Sequence, residues 1–497
     1  MTFANHRTIR RHRLLLSYAA LAALLLTMAC ALRSDLHADI TGDDVKQSID
    51  KAVKFLRTTQ AADGRWHYRM PHYSDGSTSL VGLALLNADV PADDPAIERA
   101  LKVVAGSRNQ YTYCVALKAM FLAQADPQKY DREIQQAATW LSEAQLQSGM
   151  WTYKAGQGRR GDNSNTQFGV LGLYAAERAG ARVPEGVWQR AERHFNKTVL
   201  NDGGWGYAPG QNRATLSMTC AGVASLYMTG LELLEPTHRC GEYEFNSRIV
   251  WGLNWIGKRF DIDGRVSSHH LYMLYAIERV GVIGARRHLG RHDWYREGAE
   301  FLLENRNDDG SWGNQRFRGG RGVGELNVAT AFGLLFLGKG RAPVMVNKLK
   351  YPVARDAGAW NLHPYDARNL VAHASEAFEQ PASWQVIELD APLKELVRAP
   401  ILYLNGHEAF TLNAEAKETL RKYVEQGGTI FSVACCSGEH TGFDTSVRKL
   451  YAEIFPEREL RPIADEHAIY SAYYNVKSRG EALGGIDFGC RTAVIHS

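Results

Sequence analysis

Arginine and aromatic side chains occur together at the predicted starts of several apolar helices, where they could bind an anionic and partly apolar ligand. Arg159 and Arg160 precede one such helix, and Arg213 precedes the next. Helix N-termini attract anions, and the guanidinium group binds phosphate or carboxylate through two hydrogen bonds. The same set of helices carries four aromatic residues suited to lining a cavity: Phe168, Tyr272, Tyr275 and Phe332. The pattern predicts a positive rim before an apolar cavity, which suits a lipid with an anionic head or an acidic glycan; solvated Gly-Arg loops are the alternative interpretation.

These residues lie in a unit that recurs from Thr41 to Gly340 and consists of an amphipathic helix, a Gly-Trp turn and a more apolar helix. The spacing of roughly 40 to 60 residues is typical of a repeat architecture. The turn has four clear copies and two degenerate ones: Asp63-Gly64-Arg65-Trp66, Ser148-Gly149-Met150-Trp151, Asp202-Gly203-Gly204-Trp205, Asp309-Gly310-Ser311-Trp312, and the weaker Gln110–Tyr113 and Asp263–Val266.

The second helix of each unit is apolar nearly all round, which indicates burial on every side. The predicted bounds are Thr78–Ala88, Thr112–Ala123, Asn165–Ala176, Ala214–Thr229, Ser268–Val280 and Asn327–Leu337. Amphipathic and apolar helices that alternate can close into a double ring with the apolar helices inside, and six hairpins would complete it. We expect each Trp to pack between neighbouring hairpins and each Gly to permit the turn without a Cβ clash. All inner helices then start at one mouth.

The first copy resembles the Gln-Trp repeats of squalene cyclases and protein prenyltransferases at Phe55, Gln60, Gly64 and Trp66. The third copy repeats the pattern, whereas Asn305 replaces the Gln in the last one. The resemblance implies an (α/α)6 toroid of helical hairpins over residues 39–340.

The resemblance also implies two kinds of chemistry. Cyclases of this family protonate an alkene with an Asp-rich DxDD motif, but the nearest string here, Asp261–Gly264, ends in Gly and lies in a turn. Asp162, at the mouth, is the remaining candidate acid. Prenyltransferases bind zinc through Asp, Cys and His, which makes Asp162, Cys220 and His269 a weak metal set; a helix cap, a core cysteine and a partly exposed histidine are the alternative. No cofactor is expected.

After Pro343 the pattern changes to alternating strands and helices, which predicts a parallel sheet. The predicted elements are Met345–Tyr351, Asp366–Phe378, Gln385–Leu389, Ile401–Leu404, Ala414–Glu425 and Thr429–Val433. Residues 341–497 should therefore form an α/β, flavodoxin-like, three-layer domain. Because the chain stops at the end of a strand, we expect this domain to be incomplete.

Ile401–His407, Gly427-Gly428, Ala434–Cys436 and Arg491–Ile495 resemble a domain of unknown function that follows such repeats in exported bacterial proteins. That family is similar in fold to class I glutamine amidotransferases, whose nucleophilic Cys lies on a tight strand-to-helix turn. The resemblance implies Cys436, or its neighbour Cys435, as nucleophile with His440 nearby. Ala434 replaces the first Gly of that turn, and a surface without chemistry is the favoured alternative.

The N-terminus carries four arginines before an apolar run from Leu14 to Leu32. This is the pattern of an export signal, or of a membrane anchor, over residues 1–38, and it predicts a periplasmic or cell-envelope location. The net charge of +4, from 58 basic and 54 acidic residues, excludes a general nucleic-acid binder.

The favoured function is binding of an isoprenoid-like or other amphipathic anionic ligand. A non-catalytic envelope scaffold with protein or glycan partners and a Cys-dependent amide or acyl hydrolase are the alternatives.

Overall fold

The computed structural model describes residues 40–158, 160–233, 246–262, 269–313, 322–339, 342–353, 359–378, 380–435, 442–476 and 483–497. It contains two compact units, residues 1–48 and 49–497. In the first unit, the structure describes residues 40–48. Some predictions fall outside the described residues: the export segment 1–38, the repeat copy Asp263–Val266, Arg159, Cys436 and His440. Among the described helices, none is both long and apolar enough to cross a membrane.

Helices dominate the described chain before Val344. They are α1 (Gly42–Thr58), α2 (Ser74–Asn87), α3 (Pro95–Ala105), α4 (Thr112–Ala125), α5 (Asp131–Ala144), α6 (Asn163–Arg178), α7 (Glu185–Thr198), α8 (Leu216–Glu232), α9 (Ser247–Arg259), α10 (His270–Ile283), α11 (Trp294–Glu304) and α12 (Val323–Lys339). A two-stranded hairpin, β1 (His288–Leu289) and β2 (His292–Asp293), lies between α10 and α11.

The even-numbered helices pack on one another in cyclic order, from α2 through α4, α6, α8 and α10 to α12, which contacts α2 again. The odd-numbered helices α3, α5, α7 and α11 each pack against two successive even-numbered ones, and α9 packs against α8. This follows from the sequence, because an all-apolar helix is stable only when every side is covered. In α6, for example, residues 163–173 are all buried.

The tryptophan of each clear turn joins the two helices of its own hairpin. Trp66, Trp151, Trp205 and Trp312 have no exposed surface. Each backbone N–H donates to a threonine Oγ1 of the following helix at 3.1–3.2 Å: Thr78, Thr166, Thr219 and Thr330. Each Nε1 donates at 2.7–3.0 Å to a carbonyl of the preceding helix: Leu56, Leu141, Phe195 and Leu302. The hydrogen bonds of the tryptophans are therefore within a hairpin. Trp205 also packs against the next hairpin as expected, because a Cβ at Gly252 of α9 would lie 3.0 Å from its ring.

The glycines and glutamines of the turns make the contacts between hairpins. Gly64, Gly149, Gly203 and Gly310 have φ of +85° to +92°. A Cβ on each would lie 2.1–3.0 Å from a main-chain oxygen of the next outer helix: Arg99, Arg190, Trp251 and Lys51 respectively. Lys51 belongs to α1, so the last turn contacts the first outer helix.

Gln145 shows how the repeat glutamine connects successive hairpins. Its Nε2 donates to the Gly149 carbonyl at 3.2 Å and to the Val187 carbonyl of α7 at 3.1 Å. Asn305, which replaces it in the last copy, donates instead to the Phe301 carbonyl of its own helix. The shorter side chain explains why the last turn departs from the pattern.

The described part of the chain after Pro343 contains a mixed seven-stranded sheet with strand order β4-β3-β5-β6-β9-β8-β7. The strands are β3 (Val344–Leu349), β4 (Ser383–Ile387), β5 (Ile401–Gly406), β6 (Thr429–Ala434), β7 (Arg461–Pro462), β8 (Gly484–Phe488) and β9 (Arg491–His496). The first five strands in this order pair in parallel. The strand β8 pairs antiparallel with both of its neighbours, β9 and β7. The expectation of a purely parallel sheet was therefore wrong at that edge.

Helices cover both faces of this sheet. They are α13 (Asp366–Ala377), α14 (Leu393–Leu396), α15 (Ala414–Glu425) and α16 (Gly442–Ile454). Alternate residues of β5 point to opposite faces, so Leu402 and Leu404 join the core under α15 and α16, whereas Tyr403 joins the core under α13.

Among the described residues, the sheet region contacts the helical region next to β4 and at the start of α13, among other points. The Val386 N–H of β4 donates to the Ala285 carbonyl at 2.6 Å, next to a parallel bridge between Arg286 and Val386. The start of α13 lies against the C-terminal ends of α6 and α8, because Arg368 Nη2 donates to the Tyr174 hydroxyl at 2.7 Å.

Candidate functional site

Four aromatic rings meet at the centre of the even-numbered helices and form what we call the aromatic layer: Phe168 of α6, Tyr272 and Tyr275 of α10, and Phe332 of α12. The Phe168 ring lies 6.2 Å from both tyrosine rings, and the Phe332 ring lies 6.1 Å from Tyr272 and 5.3 Å from Tyr275. Since α8 lies between α6 and α10 in the cyclic order, these contacts cross the centre. The sequence predicted that these four side chains would come together, and they do; their role in binding stays a prediction.

Two side chains of the layer are buried, and the other two keep accessible surface. Phe168 and Tyr275 are 2% and 1% exposed, whereas Tyr272 and Phe332 are only half-buried. Burial raises the pKa of Tyr272 well above its usual value, and the neighbouring Asp162 carboxylate adds to the effect. Tyr272 and Phe332 lie among other helices and still keep accessible surface. This is expected of side chains that border an internal space.

Three buried polar atoms next to the layer have no hydrogen-bond partner among the described residues: Asn165 Oδ1, Gln167 Nε2 and Tyr275 Oη. The Gln167 amide is otherwise engaged, because the Tyr272 hydroxyl donates to its Oε1 at 2.6 Å. Buried polar atoms nearly always have a partner, from protein or from water. Gln167 Nε2 is thus an unused donor, Asn165 Oδ1 an unused acceptor and Tyr275 Oη an unused hydroxyl.

Asp162 is the N-cap of α6 and not a free acid. Its carboxylate accepts from Ser164 N at 3.1 Å and Ser164 Oγ at 2.9 Å, and from Asn165 N at 2.9 Å and Asn165 Nδ2 at 2.8 Å. Asp162 is thus occupied in fixing the start of α6, which does not favour the predicted role as a proton donor.

The weak metal set does not assemble. Within the described ranges, no three His, Cys, Asp or Glu side chains are placed so that they could hold a metal ion. Cys220 is fully buried, and this burial raises the pKa of its thiol. Zinc binds the thiolate, so the environment of Cys220 opposes coordination.

The mouth arginines lie on the predicted loops, although not over the aromatic layer. Arg160 is exposed just before α6. Arg213, just before α8, lines a pocket of about 590 Å³ together with Leu216, Met273 and the side chains of the next hairpin, and no residue of the aromatic layer lines it. An anionic group held by Arg213 would therefore lie to one side of the layer.

Sequence reasoning missed an ion pair at the opposite end of the layer. Glu278 and Arg279 are adjacent on α10, and the Arg279 guanidinium donates to both carboxylate oxygens of Glu278. The same guanidinium lies 5.1 Å from the centre of the Tyr275 ring. Two charges within an otherwise apolar helix were the available signal.

The candidate thiol of the sheet region is in an unreactive environment. Cys435 is 7% exposed, its Sγ donates to the Gly406 carbonyl at 3.0 Å, and burial raises its pKa. The thiolate is the nucleophilic form. The described cysteine is thus poorly suited to catalysis, and Cys436 and His440 lie outside the described residues.

A buried Ser–His–Asp chain also occurs in the sheet region. The His496 ring bonds to Ser432 Oγ at 2.8 Å and to Asp444 Oδ1 at 2.9 Å, and the Tyr451 hydroxyl donates to the same Ser432 Oγ. Ser432 has no exposed surface. No substrate could reach this serine. We therefore interpret these bonds as holding β6, β9 and α16 together.

A second cluster missed by the sequence lies at the carboxyl ends of β3 and β5, where the strand order reverses. The Lys348 ammonium, 1% exposed, donates to Asp366 Oδ1 at 2.6 Å, and Asn405 Nδ2 donates to Asp366 Oδ2 at 2.7 Å. Burial lowers the pKa of Lys348, and Asp366 opposes that shift. Such reversal points are frequent ligand sites, but this one is filled by its own ion pair.

Comparisons with known proteins show similarities for parts of the chain. Residues 346–488 match the family described as "Domain of unknown function (DUF4159)", and no curated protein matches the sequence. Among solved structures, the type II terpene cyclase MstE from Scytonema is 14% identical over 60% of this chain and 99% of its own, with a TM-score of 0.41. A variant of that cyclase in complex with its substrate geranylgeranyl dihydroxybenzoate is 13% identical over 60% of this chain and 98% of its own, with a TM-score of 0.36. A possible GH105 family member from Salmonella enterica is 11% identical over 61% of this chain and 95% of its own, with a TM-score of 0.42. Similarity at this level leads to no conclusion about ligand or activity.

Proposed function

We propose that the helical region is an (α/α)6 toroid of an exported protein and that its mouth binds an amphipathic anionic ligand of isoprenoid type. The apolar part of the ligand would lie on the aromatic layer, and its head would reach the mouth arginines. One observation carries the proposal: the layer of four aromatic rings includes the unpartnered Tyr275 hydroxyl, and the amide of Gln167, which the Tyr272 hydroxyl contacts, has an unpartnered buried nitrogen.

The exposed parts of Tyr272 and Phe332 offer apolar surface to a ligand. Covering roughly 100 Å² of aromatic surface would contribute about 2.5 kcal/mol to binding, and a long isoprenoid chain covers more. The unpartnered Gln167 Nε2 can donate to an oxygen of the ligand. One such bond contributes about 1 kcal/mol, so the apolar contact contributes more to the affinity than the hydrogen bond does.

The proposal is limited to binding. Asp162 serves as a helix cap, and the carboxylate of Glu278, at the other end of the layer, is held by Arg279. Turnover would need a proton donor that neither of these carboxylates supplies.

The test is a binding assay on the full chain with geranylgeranyl diphosphate as probe, and with geranylgeraniol and pyrophosphate as its separated halves. We expect geranylgeranyl diphosphate to bind most tightly. Lipid extracted from the purified protein should also contain a polyprenyl species by mass spectrometry. Failure of all three probes to bind, together with an extract free of such lipid, would refute the proposal.

Gln167→Leu tests the named observation directly. The change keeps the volume and removes the unpartnered donor, so affinity for the diphosphate probe should fall about fivefold to tenfold. The matched control is Gln157→Leu on the exposed mouth loop, which should leave the affinity unchanged. Unaltered binding by the Gln167 variant would show that the ligand does not meet this amide.

A further inference from the structure

Five tyrosines lie at or next to the starts of α2, α4 and α6, outside the aromatic layer. We define the tyrosine arc as Tyr73, Tyr111, Tyr113, Tyr153 and Tyr207. The Tyr73 and Tyr111 rings lie 5.1 Å apart and the Tyr113 and Tyr153 rings 5.9 Å apart, while the Tyr153 and Tyr207 hydroxyls are 2.7 Å apart. We propose that this arc is a saccharide-binding surface and that its ligand is an acidic oligosaccharide.

The arc presents ring surface to the solvent. Tyr153 and Tyr207 are 46% and 36% exposed, and Tyr73, Tyr111 and Tyr113 are half-buried. A soluble protein seldom places a row of exposed aromatic rings at the mouth of a cavity without a binding role. The ring separations of 5.1 Å between Tyr73 and Tyr111 and of 5.9 Å between Tyr113 and Tyr153 are similar to the length of a pyranose ring.

The backbone holds the arc rigidly. The Thr112 N–H, at the start of α4, donates to the Tyr153 carbonyl at 3.0 Å, and the Asn163 N–H, at the start of α6, donates to the Tyr207 carbonyl at 2.8 Å. Tyr111 and Lys154 form an antiparallel bridge. Each loop is thus fixed to the start of a neighbouring inner helix, so little ordering is needed when a ligand binds.

The chemistry of the arc fits a sugar better than a hydrocarbon. The apolar face of a pyranose can lie on an aromatic ring while its hydroxyls exchange hydrogen bonds with groups at the ring edge. Tyrosine hydroxyls both donate and accept. Burial raises the pKa of Tyr73 to about 12 and also raises that of Tyr207, so both remain neutral donors at physiological pH. A polyprenyl chain would make no use of these hydroxyls.

Two cations on one loop make the expected saccharide acidic. Lys154 Nζ lies 5.8 Å from the centre of the Tyr111 ring, and Arg160 is exposed later in the same loop. Neither forms an ion pair with another described residue, so both are available to carboxylates of a bound uronic acid.

The saccharide surface is separate from the site proposed for a lipid. Tyr113 connects them, since its ring lies 4.8 Å from Phe168 of the aromatic layer, but the other four tyrosines lie outside the layer. The inference therefore stands without a bound lipid, and its test uses no lipid.

The test is titration calorimetry of the full chain with an oligogalacturonate and with a neutral oligosaccharide of the same length. We expect the acidic compound to bind at least about tenfold more tightly and to weaken as salt is added. Tyr153→Ala should lower its affinity about tenfold or more, and Lys154→Met should remove most of the preference for the acidic compound. Tyr474→Ala, 54% exposed before substitution and remote from the mouth in sequence, is the matched control and should bind as the parent does.

Two results would overturn the inference. Absence of binding of either oligosaccharide to the parent protein would do so, as would a Tyr153→Ala variant with unaltered affinity. Equal binding of the acidic and neutral compounds would refute the assignment of Lys154 and Arg160. Because Tyr153 lies outside the aromatic layer, Tyr153→Ala should still bind geranylgeranyl diphosphate, so a failure here is distinguishable from a failure of the proposed lipid site.

Discussion

Alanine at position 149 should destabilise the protein far more than alanine at other glycines with the same backbone conformation. Gly149 has φ of +86°, and Gly180, at the end of α6, has φ of +96°. A Cβ at Gly149 would lie 2.1 Å from the Arg190 carbonyl oxygen of α7, whereas a Cβ at Gly180 would have no atom within 4 Å. The two substitutions therefore share the cost of the backbone conformation and differ in the clash.

The expected loss of stability is the sum of these two costs. The left-handed conformation costs an alanine roughly 1–2 kcal/mol at either position. At Gly149, α7 must also move by about 1 Å, which is overpacking against main chain and adds roughly 1–3 kcal/mol. The movement would strain two further bonds to α7, from Gln145 Nε2 to the Val187 carbonyl and from Arg190 Nε to Gln145 Oε1. We expect a loss of about 2–5 kcal/mol for Gly149→Ala and about 1–2 kcal/mol for Gly180→Ala.

Thermal unfolding followed by circular dichroism at 222 nm would measure this difference, since the helical region dominates the signal. A helical region of roughly 300 residues has an unfolding entropy of about 0.6 kcal/mol/K, so Tm should fall by about 3–8 °C for Gly149→Ala and about 2–3 °C for Gly180→Ala. The other repeat glycines add an internal scale. The Cβ separation is 2.5 Å at Gly310 and 3.0 Å at Gly64 and Gly203, so their losses should lie between these two.

The reasoning would be refuted if Gly149→Ala and Gly180→Ala lowered Tm equally. That result would mean that the backbone conformation alone requires glycine in these turns. A fall in Tm that did not follow the order of Cβ separations would show that α7 and its counterparts yield without cost.

Three further predictions concern other parts of the chain. Lys348→Met should cost about 3–5 kcal/mol by leaving the buried Asp366 carboxylate unpaired, and combining it with Asp366→Asn should recover part of that loss; additive losses in denaturant unfolding would show that the pair is not coupled. Glu177→Gln should raise Tm at pH 7, because burial, and then a neighbouring carboxylate, raises the pKa of Glu177, so its charge costs stability above the folded pKa. The gain should shrink as the pH falls through the folded pKa toward the ordinary value of 4.5 and should be absent below it; a pH-independent difference in Tm would contradict this. Iodoacetamide should label the exposed Cys490 at least about tenfold faster than the buried Cys435, and equal labelling in a peptide map would overturn our conclusion that this thiol is unreactive.

Local sequence was sufficient to predict the turns and the apolar helices, because both depend on residue types within a short window. The bounds of α15 were predicted correctly, and those of α4 to within two residues at one end. The threonine that pairs with each tryptophan was missed. Its distance along the chain from the tryptophan varies from 12 to 18 residues, so no fixed motif marks it.

The local sequence also did not predict strand β8 or its antiparallel pairing. Its sequence, Gly484–Phe488, includes two glycines and an aspartate, which are depleted in strands. The partner β9 stabilises it through register, with Ile486 opposite Val494. Pairing between strands decided this edge of the sheet, and that information is not in the segment itself.

The candidate site was predicted in its apolar half and not in its polar half. The aromatic layer followed from the shared direction of the inner helices, which brings side chains of equal depth together. The partners of Asp162 and the ion pair of Glu278 with Arg279 depend on side-chain geometry across one or two turns. A carboxylate at a helix start is either a cap or a free acid, and the sequence alone does not distinguish the two.

The contact between α13 and the helical region determines from which end the aromatic layer can be reached. A helix leaves its last carbonyls without partners, and at the end of α8 the Tyr365 hydroxyl donates to the Leu231 carbonyl at 2.9 Å and approaches the Gly230 carbonyl at 3.3 Å. Arg368 binds Tyr174 at the adjacent end of α6. The described residues of α13 thus cover these helix ends, while Tyr272 and Phe332 keep accessible surface. We therefore expect a ligand for the layer to enter from the opposite end, where α6 begins and where Tyr207 of the tyrosine arc bonds to Asn163.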